Sequence, residues 1–171
     1  GKGNYILYHG NLSVVENNQA AMFIAKKIAD GMPYKFIIAG KDPLSSLKKE
    51  IKNIKNVELI ENPPFEKMAE LMQNAQINLL LTFQQTGIKL KLLNSLYRGR
   101  FVLVNGKMVN NTGLEKLCII EDNPNATKRL IGDLMDMEFT QQDINKRKIQ
   151  LETGFGNIHN ATLIAKEIFG V

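Results

Sequence analysis

The stretch Thr86-Gly-Ile-Lys-Leu-Lys-Leu-Leu-Asn94 holds the strongest candidate chemistry in the chain. It follows the run Ile77 to Leu81 and carries helical spacing, so it reads as a helix opening just past a strand end. A helix start offers unpaired backbone N–H groups and the positive end of a dipole, which together hold anions, phosphates above all. The helix is expected to begin near Gly87, with Lys89 and Lys91 in its first turn, where the dipole disfavours cations. An anion bound there would reverse that penalty. A surface helix with poorly placed lysines is the alternative, and periodicity leaves it open. Ile88, Leu92 and Leu96 share the face expected to pack on a sheet, while Lys91, Asn94, Ser95 and Arg98 share another.

Two further loops could approach a ligand. Gly10-Asn-Leu-Ser13 follows the first strand-like run, and Gly10 and Asn11 could present backbone to an anion. Ser13 and Glu16 have the spacing of a capping box, which supplies a ligand-free reading of the same turn. Gly40-Lys-Asp-Pro43 is the matching loop after the second strand, where Lys41 could reach an anion or simply be solvated. Neither loop has the glycine fingerprint of dinucleotide binding, and the chain lacks the usual zinc-protease, thiol, nucleophile-elbow and P-loop motifs. His9 and His159 are far apart and lack metal-type spacing, so His9 is expected to be a packed or ligand-facing turn residue. The single cysteine, Cys118, lies in the apolar run Leu117 to Ile120 and reads as a buried structural thiol.

The elements that would position these residues alternate. Strands are expected at Tyr5 to Tyr8, Lys35 to Ala39, Val57 to Ile60, Ile77 to Leu81, Phe101 to Val104 and Leu117 to Ile120. Helices are expected from the Ser13 cap to Gly31, over Asp42 to Lys52 with Pro43 in its first turn, and over Phe65 to Asn74. Others follow from Gly87 to Arg98, from Asn125 to Met137, and as one or two helices over Thr140 to Val171, interrupted near Gly154-Phe-Gly156. This order predicts an α/β fold: a Rossmann-like, doubly wound, mainly parallel sheet of six strands with helices on both faces. Ligands in such sheets sit outside the carboxyl ends of the strands, near the switch in strand order. The loops to search are therefore 9–13, 40–43, 61–65, 82–89 and 105–113. No internal repeat or low-complexity linker interrupts the chain, which reads as a single domain over residues 1–171.

Totals narrow the partners. The chain has 171 residues and a formal net charge of +5, with its lysines dispersed and no arginine-rich tract, which argues against nucleic acid and suits a phosphate-bearing small molecule. No run approaches the ~20 apolar residues of a membrane span. Neither a signal peptide nor a metal-binding pattern is evident, so a cytoplasmic protein without a cofactor is expected, at most peripheral to the inner face of the membrane.

With these loops placed, the sequence resembles the C-terminal domain of nucleotide-sugar-dependent glycosyltransferases of the group 1, or family 4, type, over roughly residues 4 to 135. Tyr5-Ile-Leu-Tyr-His-Gly-Asn-Leu-Ser13 looks like the family's first strand, glycine and "LS" turn, and Phe36-Ile-Ile-Ala-Gly40 like its second strand and glycine. Ile77 to Val104 looks like its signature region. The resemblance implies the two-Rossmann-domain, GT-B arrangement, with this chain as the C-terminal, donor-binding half of a longer protein and the acceptor on an N-terminal domain. It implies a nucleotide-diphosphate sugar donor and glycosyl transfer, often mannosyl, to a saccharide or lipid-linked acceptor in polysaccharide biosynthesis. It implies no bound metal, because helix N-termini and basic side chains stabilise the leaving diphosphate. Gly10, Asn11, Gly87, Ile88 and Lys89 would face the diphosphate and Asn94 the ribose, with Lys41, Thr86 and Lys91 completing the nine residues of the expected donor site. The departures are specific: Thr86 and Asn94 stand where the family usually has two glutamates, and Glu16 where it has a basic residue. Lys89 and Lys91 would then supply the positive charge from a shifted position. A non-catalytic nucleotide-sugar-binding or scaffolding domain is the alternative that these departures favour.

Overall fold

Every strand of the sheet pairs in parallel, in the order β3-β2-β1-β4-β5-β6. The strands of this computed structural model are β1 (Tyr5–Asn11), β2 (Lys35–Lys41), β3 (Val57–Glu61), β4 (Ile77–Leu80), β5 (Phe101–Val104) and β6 (Ile119–Ile120). The structure describes residues 1–84 and 89–170, with the backbone alone at 157–159. The chain divides into two compact units, Gly1–Glu138 and Phe139–Val171.

The first unit contains the sheet. α1 (Val15–Phe23) continues as a π-helical turn (Ile24–Ala29), and Gly31 just beyond it takes a φ of 77°, in the left-handed region that favours glycine. Then come α2 (Ser45–Ile51), α3 (Phe65–Asn74), α4 (Leu90–Arg98), the short α5 (Gly106–Val109) and α6 (Pro124–Asp136). α1 packs with α2 and α3 with α4, and right-handed crossovers put those two pairs on opposite faces. The core is the doubly covered sheet: Ile6, Leu7, Phe36, Ile38, Leu79, Leu80 and Val104 are buried, as near-continuous apolar strands in a parallel sheet must be. Leu92 and Leu96 are buried on α4, on the face that its spacing predicts. The second unit is a helical pair, α7 (Gln141–Phe155) and α8 (Asn157–Phe169), broken at Gly156, with α7 opened by a Thr140–Asp143 capping box.

Several expected boundaries move. Glu16 forms no capping box with Ser13, because α1 starts after Val14 with no side-chain cap and the Ser13 hydroxyl donates to Asn11 Oδ1 (2.8 Å). Pro43 precedes α2, whose first residue is Ser45, because Asp42 takes a positive φ of 46° and turns the chain. Leu117 belongs to a 3₁₀ turn (Glu115–Leu117), which shortens the sixth strand, and Cys118 beside it is half-buried rather than buried. α5 follows Asn105, within the stretch 105–113 that the sequence presents as a loop. Asn78, within β4, is fully buried; its Nδ2 donates to the Met72 carbonyl (3.1 Å) and its Oδ1 has no partner among the described residues. Among the described residues, no helix is long and apolar enough to cross a membrane.

Candidate functional site

The sheet order reverses between β1 and β4, and the carboxyl ends of these two strands frame the site. Adjacent side chains of β1 face opposite ways there. Tyr8 is buried toward α1, donating its hydroxyl to the Asn17 carbonyl (3.0 Å). His9 is buried toward α4 and shares a hydrogen bond with Ser95 Oγ (2.9 Å). Burial, seconded by the Lys91 charge, pulls the His9 imidazole down to about 4 from its usual 6.5, so it is neutral at physiological pH. Its hydrogen bond to Ser95 ties β1 to α4, and the burial that lowers its pKa makes the ring a weak base.

Lys91 crosses the switch point. It rises from the first turn of α4, donates to Asn17 Oδ1 on α1 (2.9 Å) and stands 5.4 Å from the centroid of the Tyr8 ring. Burial lowers the ammonium to about 8 from 10.5; the nearby Glu16 carboxylate resists that shift and Lys89 adds to it. The site thus holds a half-buried cation against an aromatic face. Lys89 occupies the N-cap of α4 and donates to the Gln84 carbonyl (3.2 Å). The two lysines flank the helix start instead of sharing its first turn.

Glu16 does something the sequence did not disclose. Its Oε1 accepts from the Thr82 hydroxyl and from the backbone N–H groups of Phe83 (3.2 Å) and Gln84 (3.4 Å). Burial opposes its ionisation, but these hydrogen bonds and the Lys91 charge outweigh burial and hold the carboxyl below its usual range. Asn105, at the end of β5, closes the other side: its Oδ1 accepts from the Thr82 N–H (3.1 Å) and its Nδ2 donates to the Thr82 carbonyl (2.7 Å). Lys107 donates to the Phe83 carbonyl (3.3 Å). Side chains from α1, α4, α5 and the end of β5 therefore anchor the backbone of residues 82–84. A carboxylate sixty-six positions away from the loop whose donors it accepts leaves no periodic trace, but a strand-end Asn-Gly pair like Asn105-Gly106 is a visible marker.

An open groove of about 470 Å³ lies along the ends of β1, β2 and β3, lined by Gly10, Asn11, Lys41, Asn62, Pro63 and Met68 together with His9 and Gly40. Gly10, Asn11 and Lys41 thus come together. Lys41 is exposed, with its ammonium 3.9 Å from Asp42. The close approach belongs to Gly40: a Cβ there would meet the Gly10 carbonyl oxygen at 1.9 Å, whereas one on Gly10 would lie 3.4 Å from the Asn17 side chain. Asn94 is exposed on α4 and is not part of the groove lining. Thr86, Gly87 and Ile88 lie outside the described residues.

No family model and no curated protein matches the sequence. Solved structures do match the fold. An α,α-trehalose-phosphate synthase (UDP-forming) from Burkholderia xenovorans superposes with a TM-score of 0.72 at 10% identity, over 95% of this chain and 43% of that one. A glycosyltransferase from Rickettsia africae gives 0.69 at 12% identity, over 98% and 48%. AviGT4, a glycosyltransferase involved in avilamycin A biosynthesis, gives 0.60 at 16% identity, over 95% and 50%. The chain spans half or less of the length of each of these proteins. It is similar in fold to a domain-sized part of glycosyltransferases, consistent with the C-terminal domain that its sequence resembles.

Proposed function

We propose that this chain is the donor-binding, C-terminal part of a longer two-domain glycosyltransferase. It takes a nucleotide-diphosphate sugar and serves transfer of the glycosyl group, with mannose one candidate, to a saccharide or lipid-linked acceptor. The observation that carries the reading is Lys91: a half-buried cation held across the switch point by Asn17 and Tyr8, where parallel α/β sheets place anionic ligands. In this reading Lys89 and Lys91 neutralise the diphosphate, with the segment containing Thr86, Gly87 and Ile88 contributing backbone. Gly10, Asn11 and Lys41 line the room left for the rest of the nucleotide. Asn94 hydrogen-bonds a hydroxyl as donor or acceptor. The acceptor and the remainder of the cleft come from the N-terminal domain, in the cytoplasm or at the inner face of the membrane, and polysaccharide assembly is the setting.

A second reading has its own observation. Glu16 stands where a cation would meet the diphosphate and is committed to the 82–84 backbone, which favours a domain that binds donor without turning it over. One panel separates the two. Thermal shift and calorimetry with UDP, GDP, ADP and their sugars should give a response to one base, lost in Lys91→Ala and weakened in Lys89→Ala. Radiolabelled transfer by the full-length protein then decides between catalysis and binding alone. Absence of binding by every nucleotide would overturn both.

A further inference from the structure

We propose that Glu16 is a positioning residue of the switch-point site: its carboxylate fixes residues 82–84 just past β4 and is the counter-charge that faces Lys91. The inference rests on the donor-site reading for its consequence, but its structural content stands on its own. One oxygen accepts from three donors of one loop, the Thr82 hydroxyl and the Phe83 and Gln84 N–H groups. Thr82 Oγ1 also accepts from the Gln84 N–H (3.3 Å), so the donors interlock. Asn105 satisfies both backbone groups of Thr82, and Lys107 and Lys89 cap the next two carbonyls. Glu16 is the one anion in this set, and the residue beside it, Asn17, holds the Lys91 ammonium. The groups facing Lys91 are therefore Glu16 and Asn17 on α1, Tyr8 and His9 on β1, and Lys89 at its own helix start. A basic residue at position 16 could accept none of the three loop donors.

The test compares wild type with Glu16→Ala and Glu16→Gln in the whole protein. Amide hydrogen exchange is read at Phe83 and Gln84, and Lys91 Nζ is titrated by NMR, both without ligand. UDP and GDP affinities are measured from pH 6.5 to 9.5. In Glu16→Ala, exchange at Phe83 and Gln84 should quicken at least tenfold while Ile37 and Leu79 in the sheet stay protected, and nucleotide affinity should fall at least fivefold. Glu16→Gln keeps an accepting oxygen, so exchange should return to within threefold of wild type. Because the counter-charge is gone, both the Lys91 titration and the upper pH limb of binding should move to lower pH. A purely structural role would leave that limb in place. Unchanged exchange in Glu16→Ala, or an unmoved Lys91 titration in Glu16→Gln, overturns the proposal. If wild type binds neither nucleotide, the donor reading fails, and the two ligand-free measurements still decide the role of Glu16.

Discussion

Lys91 and His9 are two titratable side chains that face the switch point from opposite elements, and each makes a pH prediction of definite sign. The buried Lys91 ammonium sits at about 8 in the folded protein, against about 10.4 for an unperturbed lysine. Below pH 8 both states are protonated and the cost of burying the charge is fully present. Between about 8 and 10.4 the folded state binds fewer protons, so this group's contribution to stability rises with pH. Anion binding runs the other way because it needs the charge. Nucleotide affinity should decline above pH 8, and binding near pH 8.5 should take up protons, seen as a calorimetric enthalpy that changes with buffer ionisation heat. Lys91→Gln should lose roughly tenfold or more in affinity, as expected for a charge-assisted hydrogen bond, and should lose the proton uptake. His9, lowered to about 4 by burial and then by Lys91, gives an acid limb. As pH falls from 6.5 to 4 the unfolded chain takes up this proton first. Stability present above 6.5 is therefore lost by on the order of 1–3 kcal/mol. Urea unfolding at pH 7 and pH 4.5 should show that loss reduced in His9→Gln relative to wild type.

At the scale of elements, the strand ends are held by backbone proximity that only particular residues allow. The Leu12 N–H donates to the Lys41 carbonyl (2.8 Å), extending the β1–β2 ladder past the last paired residues, and this draws Gly40 hard against Gly10. Gly40→Ala would drive a methyl group into the Gly10 carbonyl and Leu12, and should cost about 1–3 kcal/mol by overpacking. Gly10→Ala meets only the Asn17 side chain at ordinary contact distance and should change stability by less than about 0.5 kcal/mol. Denaturant midpoints of the two variants check the contrast, and equal losses would refute it. The same geometry explains what the sequence discloses. Strands β1, β2, β3 and β5 are legible because each is a short run ended by glycine, asparagine or proline, β4 because it lies in the largely apolar run Ile77 to Leu81, and α3 is legible from end to end. The failures fall where a side chain leaves its own element for a partner far away. Glu16 has the spacing of a capping box yet serves the 82–84 loop, because three donors there outcompete the Ser13 N–H. Asn78 sits within an apolar strand because it reaches the end of α3 at Met72. Gly99 is needed beside it, since a Cβ there would stand 2.2 Å from Asn78 Nδ2.

For the whole molecule, the parallel doubly wound topology follows from the alternation of strands and helices, and the position of the site follows from the topology. Its chemistry is less legible, because it depends on which way lysines bend. Of the nine residues assigned to the site from sequence, Gly10, Asn11 and Lys41 meet in the groove and Lys89 and Lys91 bracket the start of α4. The net charge of +5 is not spread evenly in effect. Lys26, Lys35, Lys48 and Lys67 are paired with Glu50, Glu58, Glu61 and Glu70 on the outer surface, and such exposed pairs screen one another. Lys89 and Lys107 instead donate to one loop and Lys91 to Asn17, with Glu16 as the opposing charge. The field at the switch point is therefore positive but short-ranged. Raising salt from about 50 to 500 mM shortens the Debye length from roughly 14 to 4 Å. It should weaken nucleotide-diphosphate binding only about three- to tenfold, because Lys91 is partly shielded from solvent. Inorganic pyrophosphate should compete with every nucleotide that binds, at an affinity with the same salt slope, since both would be held by the same cations. Titrations at three salt concentrations test this. A flat response would mean that neutral hydrogen bonds hold the ligand. A loss of a hundredfold or more would place the anion among the exposed lysines, outside the crevice that Lys91 crosses.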